Sequence, residues 1–203
     1  MQPTKSSREH AEDVFRRHGG TLNMSDALRH GVTRYTLYAM HDEARLIRLA
    51  RGVYRLADMP ALSNPDLVIV AQRIPKGVIC LISALAFHEL TTQIPHVVWV
   101  AVKRISRVPK IEWPPVRVLN FSKEAYSSGT ETHELDGVPV TMYSREKTLA
   151  DCFKYRRKIG RDVALEALKT YLQSGKIDID ALMKYARVCR VSNVIRPYLE
   201  AML

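Results

Sequence analysis

The sequence predicts an α+β fold in two parts, and three observations support this prediction. Within the first 58 residues, segments with a helical spacing of apolar residues are followed by two short β runs joined at "ARG". From residue 67 onward, apolar runs typical of buried strands come first and helical segments follow. Hydrophobic residues make up 46% of the 203 positions, which is enough for a core. We therefore predict an N-terminal winged helix-turn-helix, followed by an α+β domain with a small sheet and a helical C-terminal part.

Two helices are predicted before the turn. The first is "SREHAEDVFRRHGG", which Ser6 or Ser7 can cap and which the pair Gly19–Gly20 can end. The second is the short segment "NMSDALRHG", for which Asn23 or Ser25 is a candidate cap. Each helix carries small and apolar residues on one side, so both are expected to pack against a common core.

A third helix is predicted from Thr33, as its N-cap, to about Leu46. Its apolar residues Leu37, Met40 and Ala44 recur at spacings of three and four, which places them on one face of a helix. That face is expected to turn inward, and the polar residues of the first turn are expected to remain outside.

The stretch "LIRLARGVYRL" is predicted to form a β-hairpin, or wing, turned by Gly52. The following stretch, "LADMPALSNPD", contains two prolines and several polar residues, as linkers do. These signals divide the chain into a winged helix-turn-helix at 1–58, a linker at 59–66 and an α+β domain at 67–203.

The second domain is predicted to begin with extended segments. The stretches "HVVWVAVKR" and "PVRVLNFS" are typical of buried strands, whereas the apolar run "DLVIVAQRI" fits a helix or a strand equally well. Asp136–Gly137 is a turn signal between two extended arms. Helices are then expected from a cap at Ser144 onward, with one ending at Gly175 and another capped by Asp180.

The charge balance predicts an anionic partner. There are 31 Lys and Arg against 21 Asp and Glu, a formal net charge of +10 at pH 7. Such an excess attracts nucleic acids by Coulomb attraction alone. An anionic membrane surface is the competing partner, but no basic amphipathic helix with an aromatic face is present. We therefore expect nucleic acid rather than membrane.

The chain is expected in the cytoplasm. Its first residues, "MQPTKSSREH", are polar and do not resemble a signal peptide. Its longest apolar region is interrupted by Arg73, Pro75 and Lys76, which argues against a membrane span. The three cysteines are widely separated and odd in number, which argues against a disulfide framework and for a reducing compartment.

The predicted third helix and hairpin carry the candidate DNA-binding residues. In a helix-turn-helix the helix after the turn enters the major groove, and residues near its N-terminus contact base edges. An arginine there can bind a guanine through two hydrogen bonds, while arginines on a wing can contact phosphates without regard to sequence. A protein-binding trihelical unit with solvated arginines is the alternative. The candidate residues are Thr33, Arg34, Tyr35, Thr36 and Tyr38 on the helix, and Arg48, Arg51 and Arg55 on the hairpin.

A second basic run, "KYRRKIGR", lies where one predicted helix ends and the next begins. Positive charge at a helix C-terminus is favourable in itself, so the run has a purely structural explanation. The functional alternative is a second patch that contacts DNA, a protein partner or that partner's nucleic-acid substrate. Its basic residues are Lys154, Arg156, Arg157, Lys158 and Arg161.

No catalytic, metal or cofactor site is predicted. His88 and Glu89 begin like an H-E-x-x-H zinc motif, but position 92 is threonine. Asp178 and Asp180 have the spacing of nucleotidyltransferase carboxylates without the Gly-Ser turn that such enzymes carry on the preceding helix. No other group of residues has the geometry of a catalytic constellation.

The N-terminal stretch "LNMSDALRHGVTRYTLYAMHDEARLIRLARGVYRL" resembles the winged helix-turn-helix of the AbiEi antitoxin family. Members commonly show a "G-V-[ST]-R-x-x-L" helix and an "L-x-R-[LV]-x-R-G-x-Y" wing. The later stretches "ISALAFHEL" and "GVPVTMYSREKTLADCFKYRRKIG" are also similar, so the resemblance spans nearly the whole chain. The matching N-terminal residues are Gly31, Val32, Thr33, Arg34, Leu37, Leu46, Arg48, Leu49, Arg51, Gly52 and Tyr54.

The resemblance implies an antitoxin of a type IV, AbiE-like toxin–antitoxin pair, which acts in phage defence by abortive infection. In that family the N-terminal domain represses its own operon by binding inverted repeats in the promoter. The C-terminal domain counteracts a nucleotidyltransferase toxin without requiring a stable complex. The partners implied are therefore double-stranded promoter DNA and such a toxin. A stand-alone winged-helix regulator or interaction module without a toxin remains open, as does a nuclease with a degenerate active site.

Overall fold

The structure is a computed structural model and describes residues 4–202, which form two compact units. The first unit contains the chain up to Pro75 together with 109–114 and 134–140; the second contains 76–108, 115–133 and 141 onward. Helices and strands occur in both, so the α+β prediction is confirmed. The predicted division into a winged helix-turn-helix at 1–58, a linker at 59–66 and an α+β domain at 67–203 stays a prediction.

The first unit contains a small helical cluster and a three-stranded sheet. The strand order is β1-β3-β2, with both pairs antiparallel. Its buried core includes Phe15, Leu37 and Met40, none of which has solvent-exposed surface. The elements are α1 (Lys5–Arg17), β1 (Thr21–Asn23), α2 (Met24–Arg29), α3 (Arg34–Asp42), β2 (Leu46–Ala50), β3 (Val53–Leu56) and α4 (Pro65–Arg73).

Local capping chemistry defines where these helices begin. The side chain of Asn23 accepts a hydrogen bond from the Asp26 amide at 2.9 Å, which confirms Asn23 as the cap of α2. In α1 the cap is Thr4, one turn before the predicted serines, because the Thr4 hydroxyl accepts from the Ser7 amide. The undecided run "DLVIVAQRI" lies in helix α4.

Helix α3 is shorter than predicted. It ends at Asp42, and Ala44 takes a left-handed backbone conformation with φ of 57°. The prediction that Ala44 faces the core is therefore wrong, because this residue is exposed and reverses the chain toward β2. The His41 ring Nδ1 lies 3.1 Å from the Leu46 carbonyl oxygen, which links the end of the helix to the start of the strand.

A five-stranded mixed sheet of order β6-β5-β4-β8-β7 lies mostly in the second unit, and residues 134–140 of β7 and β8 are counted with the first. In this sheet β5 pairs parallel with β6 and antiparallel with β4. Helices pack around it, most of them from the C-terminal part of the chain. The elements are β4 (Val78–Ile79), α5 (Leu81–Phe87), β5 (Val98–Lys103), β6 (Val116–Phe121), α6 (Lys123–Ser127), β7 (Thr130–Leu135), β8 (Val138–Tyr143), α7 (Arg145–Lys154), α8 (Arg156–Ile159), α9 (Arg161–Gln173), α10 (Ile179–Cys189) and α11 (Ser192–Met202).

Several predictions for this region are confirmed, and one is wrong. The two predicted strands are β5 and β6, and Ser144 caps α7 by accepting a hydrogen bond from the Lys147 amide at 3.3 Å. The predicted turn has positive φ at both Asp136 and Gly137, as the hairpin signal required. Helix α10 is capped by Asp178 rather than Asp180, because it is the Asp178 carboxylate that accepts from the Ala181 amide.

A buried ion pair lies within α7. Lys147 and Asp151 are one turn apart, neither side chain is exposed, and Nζ lies 2.5 Å from Oδ2. The Cys189 thiol donates to the other carboxylate oxygen at 3.1 Å. The Lys147 ammonium also lies over the Tyr143 ring, 4.0 Å from its centroid. This network gives both charges partners away from water, as buried charges require.

All three cysteines are buried, and burial raises the pKa of each thiol. Cys80 and Cys152 have no exposed surface, which confirms the prediction that they are core residues. Among residues 4–202, no helix is both long and apolar enough to cross a membrane.

Candidate nucleic-acid interface

Helix α3 presents one exposed face of polar and aromatic residues. Arg34 is exposed, and Tyr35 and Tyr38 have 49% and 50% of their surface accessible. On the opposite face Leu37 and Met40 are fully buried. The helix is therefore held by its apolar face and leaves its other face free to meet a ligand.

The first turn of α3 is fixed by a threonine pair. The Thr33 hydroxyl accepts from the Thr36 amide at 3.1 Å, and the two hydroxyl oxygens lie 2.9 Å apart. Thr33 is exposed, whereas Thr36 retains only 3% of its accessible surface. The prediction that Thr36 faces outward is wrong, because this side chain turns back to support the cap.

The wing consists of β2, β3 and the turn between them. Gly52 occupies that turn with φ of 74°, a conformation that favours glycine. The pairing register shifts between Arg48 and Ala50, so the strand is irregular close to the turn. Arg48 and Arg51 are both exposed, as predicted.

Arg55 was predicted to contact phosphates, and its position contradicts this. Only 3% of its surface is exposed, and its guanidinium donates to the Thr21 hydroxyl at 2.7 Å and to the carbonyls of Gly19 and Pro60 at 3.3 and 2.8 Å. Residues on a strand alternate between faces, and Arg48 is in register with the neighbour of Arg55. Arg55 therefore lies on the face of the wing opposite Arg48, where Thr21, Gly19 and Pro60 cover it, and its hydrogen bonds stabilise the wing.

A groove with a volume of about 710 Å³ separates α3 from the wing. Arginines from four segments line it, together with the Asp26 carboxylate and the hydroxyl-bearing ring of Tyr38. Arg29 and Arg73 were not among the predicted residues. Arg29 could have been noticed from its place in the last turn of α2, but nothing in the apolar run before Arg73 indicated the position of Arg73. The arginines are Arg29, Arg34, Arg48, Arg51 and Arg73.

Apart from the buried Arg55, the arginines of the first unit fall into two groups. Outside the groove, arginines form ion pairs with carboxylates: Arg8–Glu43, Arg16–Asp58, Arg17–Asp13 and Arg45–Glu12. Within the groove Arg29 pairs with Asp26. Across the described residues 4–202, no carboxylate forms an ion pair with Arg34, Arg48 or Arg51. Within the first unit, the solvent-accessible arginines without an ion pair therefore lie on α3, on the wing and, with Arg73, at the end of α4, all lining this groove.

Two residues at the end of α4 brace this groove. The Gln72 side-chain oxygen accepts from the amide and the side-chain nitrogen of Asn23, at 3.0 and 3.1 Å. The Arg73 guanidinium donates to the Arg51 carbonyl in the wing turn at 2.7 Å. Gln72 thus holds the start of α2, and Arg73 holds the tip of the wing. Because the two residues are adjacent, they fix the width of the groove between α2 and the wing.

The second basic run lies in the second unit, around α8. Arg156 donates to the Phe153 carbonyl at 2.7 Å and is half-buried, so it serves the helix end. Lys154 lies over the rings of Phe121 and Tyr155, at about 6 Å from their centroids. The exposed members of the run are Arg157, Lys158 and Arg161, with Lys154 exposed beside them.

His88, which begins the incomplete H-E-x-x-H motif, is held by a backbone hydrogen bond. The His88 ring Nε2 lies 2.7 Å from the Tyr143 carbonyl, which can only accept, so this nitrogen carries a proton. Burial lowers the pKa of His88 and favours its neutral form. Within the described part of the chain, no group of three or more His, Cys, Asp or Glu side chains could hold a metal ion.

Three helices, a two-stranded wing and a cationic groove between them define a winged helix-turn-helix module. Residues 11–57 match a protein family described as "Transcriptional regulator, AbiEi antitoxin", which confirms the resemblance of the N-terminal stretch. This match supports a role as a DNA-binding transcriptional regulator, and the matched family is one of regulators and antitoxins rather than a known enzyme family.

The fold is similar to a crystal structure described as the RV2827C protein from Mycobacterium tuberculosis. The similarity covers 91% of this chain and 72% of that one, with a TM-score of 0.56 and 11% sequence identity. At that identity it supports the architecture alone. No curated protein matches the chain by sequence.

Proposed function

We propose that this protein is a sequence-specific transcriptional autorepressor and the antitoxin of a type IV, AbiE-like phage-defence system. The observation that carries the DNA-binding part is the groove between α3 and the wing, where Arg34, Arg48 and Arg51 have no carboxylate partner among residues 4–202. The match of residues 11–57 to antitoxin regulators supports the same assignment. We expect the protein to act in the cytoplasm on double-stranded promoter DNA that carries inverted repeats.

In the proposed complex, α3 enters the major groove by its exposed face. Arg34, on the first turn, reaches a guanine edge, while Tyr35 and Tyr38 contact a phosphate or a thymine methyl group. Thr33 lies at the helix N-terminus, where backbone amides favour an anionic phosphate. On the wing, Arg48 and Arg51 neutralise phosphates beside the groove. Base contacts then give specificity, and phosphate contacts give a salt-dependent affinity.

The decisive experiment is binding of the purified protein to its own upstream DNA over a series of salt concentrations. A scrambled duplex of the same length and base composition is the control. We expect tighter binding to the upstream duplex at every salt concentration and a falling affinity on both duplexes as salt increases. Equal affinity for the two duplexes would contradict a sequence-specific repressor.

Replacing Arg34 with alanine is expected to weaken binding to the upstream duplex about 5- to 150-fold, the value of one bidentate base contact. Binding to the scrambled duplex should fall much less, because Arg34 is proposed to contact a base edge. Gel-shift titrations on both duplexes measure the two effects. Arg17→Ala is the matched control, since Arg17 is exposed and paired with Asp13 outside the groove. Equal losses on both duplexes would make Arg34 a phosphate contact only.

Replacing Arg51 with alanine is expected to weaken binding to every sequence alike. One lost phosphate contact should reduce the slope of log affinity against log salt by about 0.9. The substitution leaves the Arg51 carbonyl in place, so the hydrogen bond from Arg73 is retained. The slope on both duplexes is the measurement, and a loss confined to one sequence would argue against a phosphate contact by the wing.

The antitoxin part of the proposal concerns the second unit and a nucleotidyltransferase toxin. The exposed basic residues Lys154, Arg157, Lys158 and Arg161, beside the half-buried Arg156, are a candidate surface for the toxin, its nucleic-acid substrate or a second DNA contact. A nucleotidyltransferase gene next to this one, whose expression stops growth unless this protein is produced, would support it.

The alternative is a stand-alone winged-helix regulator, which the end of the family match at residue 57 favours. Normal growth of cells with the neighbouring gene alone would favour that alternative.

A further inference from the structure

The segment 109–114 lies beside the wing, and Arg73 holds it there. The Arg73 guanidinium donates from one nitrogen to the Arg51 carbonyl in the wing turn, at 2.7 Å. From its other terminal nitrogen it donates to the Lys110 carbonyl, at 3.3 Å. One side chain therefore holds the segment 109–114 beside the turn of the wing, although about 60 residues separate them in sequence.

A second groove, with a volume of about 320 Å³, lies between the wing and this segment. Leu49 and Ala50 line it from the wing, and Lys110 and Trp113 line it from the segment. It shares Arg51 and Arg73 with the larger groove beside α3, so both grooves adjoin the wing turn.

The chemistry of this second groove suits a nucleic-acid backbone. Lys110 is exposed, and no carboxylate forms an ion pair with it within residues 4–202. Trp113 has 63% of its surface accessible and presents both an apolar ring and an N–H donor. The lining of this groove carries one carboxylate, that of Glu112, and three cationic side chains, those of Arg51, Arg73 and Lys110. A ring that can pack on a sugar, beside cations that can bind phosphates, is the combination that protein–DNA interfaces use to hold the backbone.

We propose that the segment 109–114 is a second DNA contact, in which Lys110 and Trp113 bind the sugar–phosphate backbone on the outer side of the wing. The contact rests on the proposed DNA binding and extends it. The wing then sits between two backbone contacts, one shared with α3 and one made by the segment. Arg73 is a positioning residue for both, because its hydrogen bonds set the distance between Arg51 and Lys110.

The length of the DNA gives a direct test. One duplex ends at the base pairs covered by the wing, and the other extends about 5 base pairs, half a helical turn, beyond it. Lys110→Ala is expected to weaken binding to the long duplex about fivefold near 0.15 M salt, the loss of one phosphate contact, and to leave the short duplex unaffected. Trp113→Ala should show the same dependence on duplex length.

Glu112→Gln is the matched control, and it is expected to change the affinity for the long duplex in the opposite direction. It removes the carboxylate from the groove lining, so it is expected to tighten binding to the long duplex a few-fold without changing the short one. If all three variants bind both duplexes like the wild type, the groove does not contact DNA, and a protein partner becomes the occupant to consider. If the wild type itself does not prefer its upstream DNA, the proposed function fails instead.

Tryptophan fluorescence provides an independent readout. The chain has two tryptophans, and Trp99 is buried with 4% of its surface exposed, so acrylamide should quench chiefly Trp113. Adding the long duplex is expected to protect the wild type from quenching and to have no such effect on Trp113→Phe. Unchanged quenching of Trp113 in saturated complex would overturn the proposal, whatever the affinities.

Discussion

Replacing Lys147 with methionine is expected to lower the free energy of unfolding by about 3–5 kcal/mol, the usual cost of removing one partner of a buried ion pair. The variant leaves the fully buried Asp151 carboxylate with the Cys189 thiol as a donor but without an ammonium group. Chemical denaturation followed by circular dichroism measures the loss. It should exceed what the change in side-chain packing alone would give, because Met and Lys have similar volumes and Met adds no charge.

The same variant should be less stable at high pH than at low pH. Burial raises the pKa of Asp151, and the Lys147 ammonium counteracts that rise. Without the ammonium, the pKa of folded Asp151 rises further while the unfolded value stays at about 4. The folded variant then binds a proton that the unfolded chain has released, so its stability falls as pH increases from about 4 toward the raised pKa. We expect a larger deficit at pH 8 than at pH 5.

Lys147→Met combined with Asp151→Leu is the control for this interpretation. Replacing both charges with apolar groups of similar volume is often neutral or stabilising. The double variant should therefore recover much of the lost stability and show a weaker dependence on pH. If it is as unstable as the single variant at both pH values, the loss comes from packing, and the unpaired charge is not its cause.

Replacing Arg55 with methionine is expected to lower the free energy of unfolding, because each buried acceptor left unpaired costs about 1–3 kcal/mol. The reason is that the Thr21 hydroxyl and the carbonyls of Gly19 and Pro60 would lose a buried charged donor. The DNA affinity of the folded protein and its salt slope should remain close to wild type, because Arg55 is 3% exposed. Thermal unfolding and salt-series binding measure the two effects separately.

Arg51→Met is the matched control on the same hairpin. Arg51 is exposed, so its replacement should reduce the salt slope and leave the unfolding free energy within about 0.5 kcal/mol of wild type. The two arginines are thus expected to give opposite patterns from the same substitution. A reduced salt slope with unchanged stability for Arg55→Met would restore the original prediction of a phosphate contact.

What the sequence predicted well depends on short-range chemistry. The caps at Asn23, Thr33 and Ser144 require only a side-chain oxygen three residues before an amide, and all three are present. The turns at Gly52 and at Asp136–Gly137 likewise need only local backbone conformations. Signals of this kind do not depend on contacts with distant residues, so they can be identified from the sequence.

What the sequence did not predict depends on contacts between distant residues. Arg55 is buried because the short strand β1 pairs with β3. Strand β1 has only three residues and no alternating pattern, so the sequence did not predict it. Thr36 is buried because its hydroxyl meets Thr33 rather than solvent. Arg73 reaches the wing only because the apolar run before it is a helix, which hydrophobic periodicity alone could not distinguish from a strand.

The first unit is interleaved with the second along the chain, and this has a consequence for newly made protein. Residues 109–114 and 134–140 complete the first unit, so the ribosome must still add residues 76–140 after it has synthesised the rest of that unit. At roughly 5–20 residues per second, that takes about 3–13 s. A nascent chain therefore carries helix α3 well before the last segments of the first unit. If the protein represses its own transcription, each new copy can contribute to that repression only after this delay.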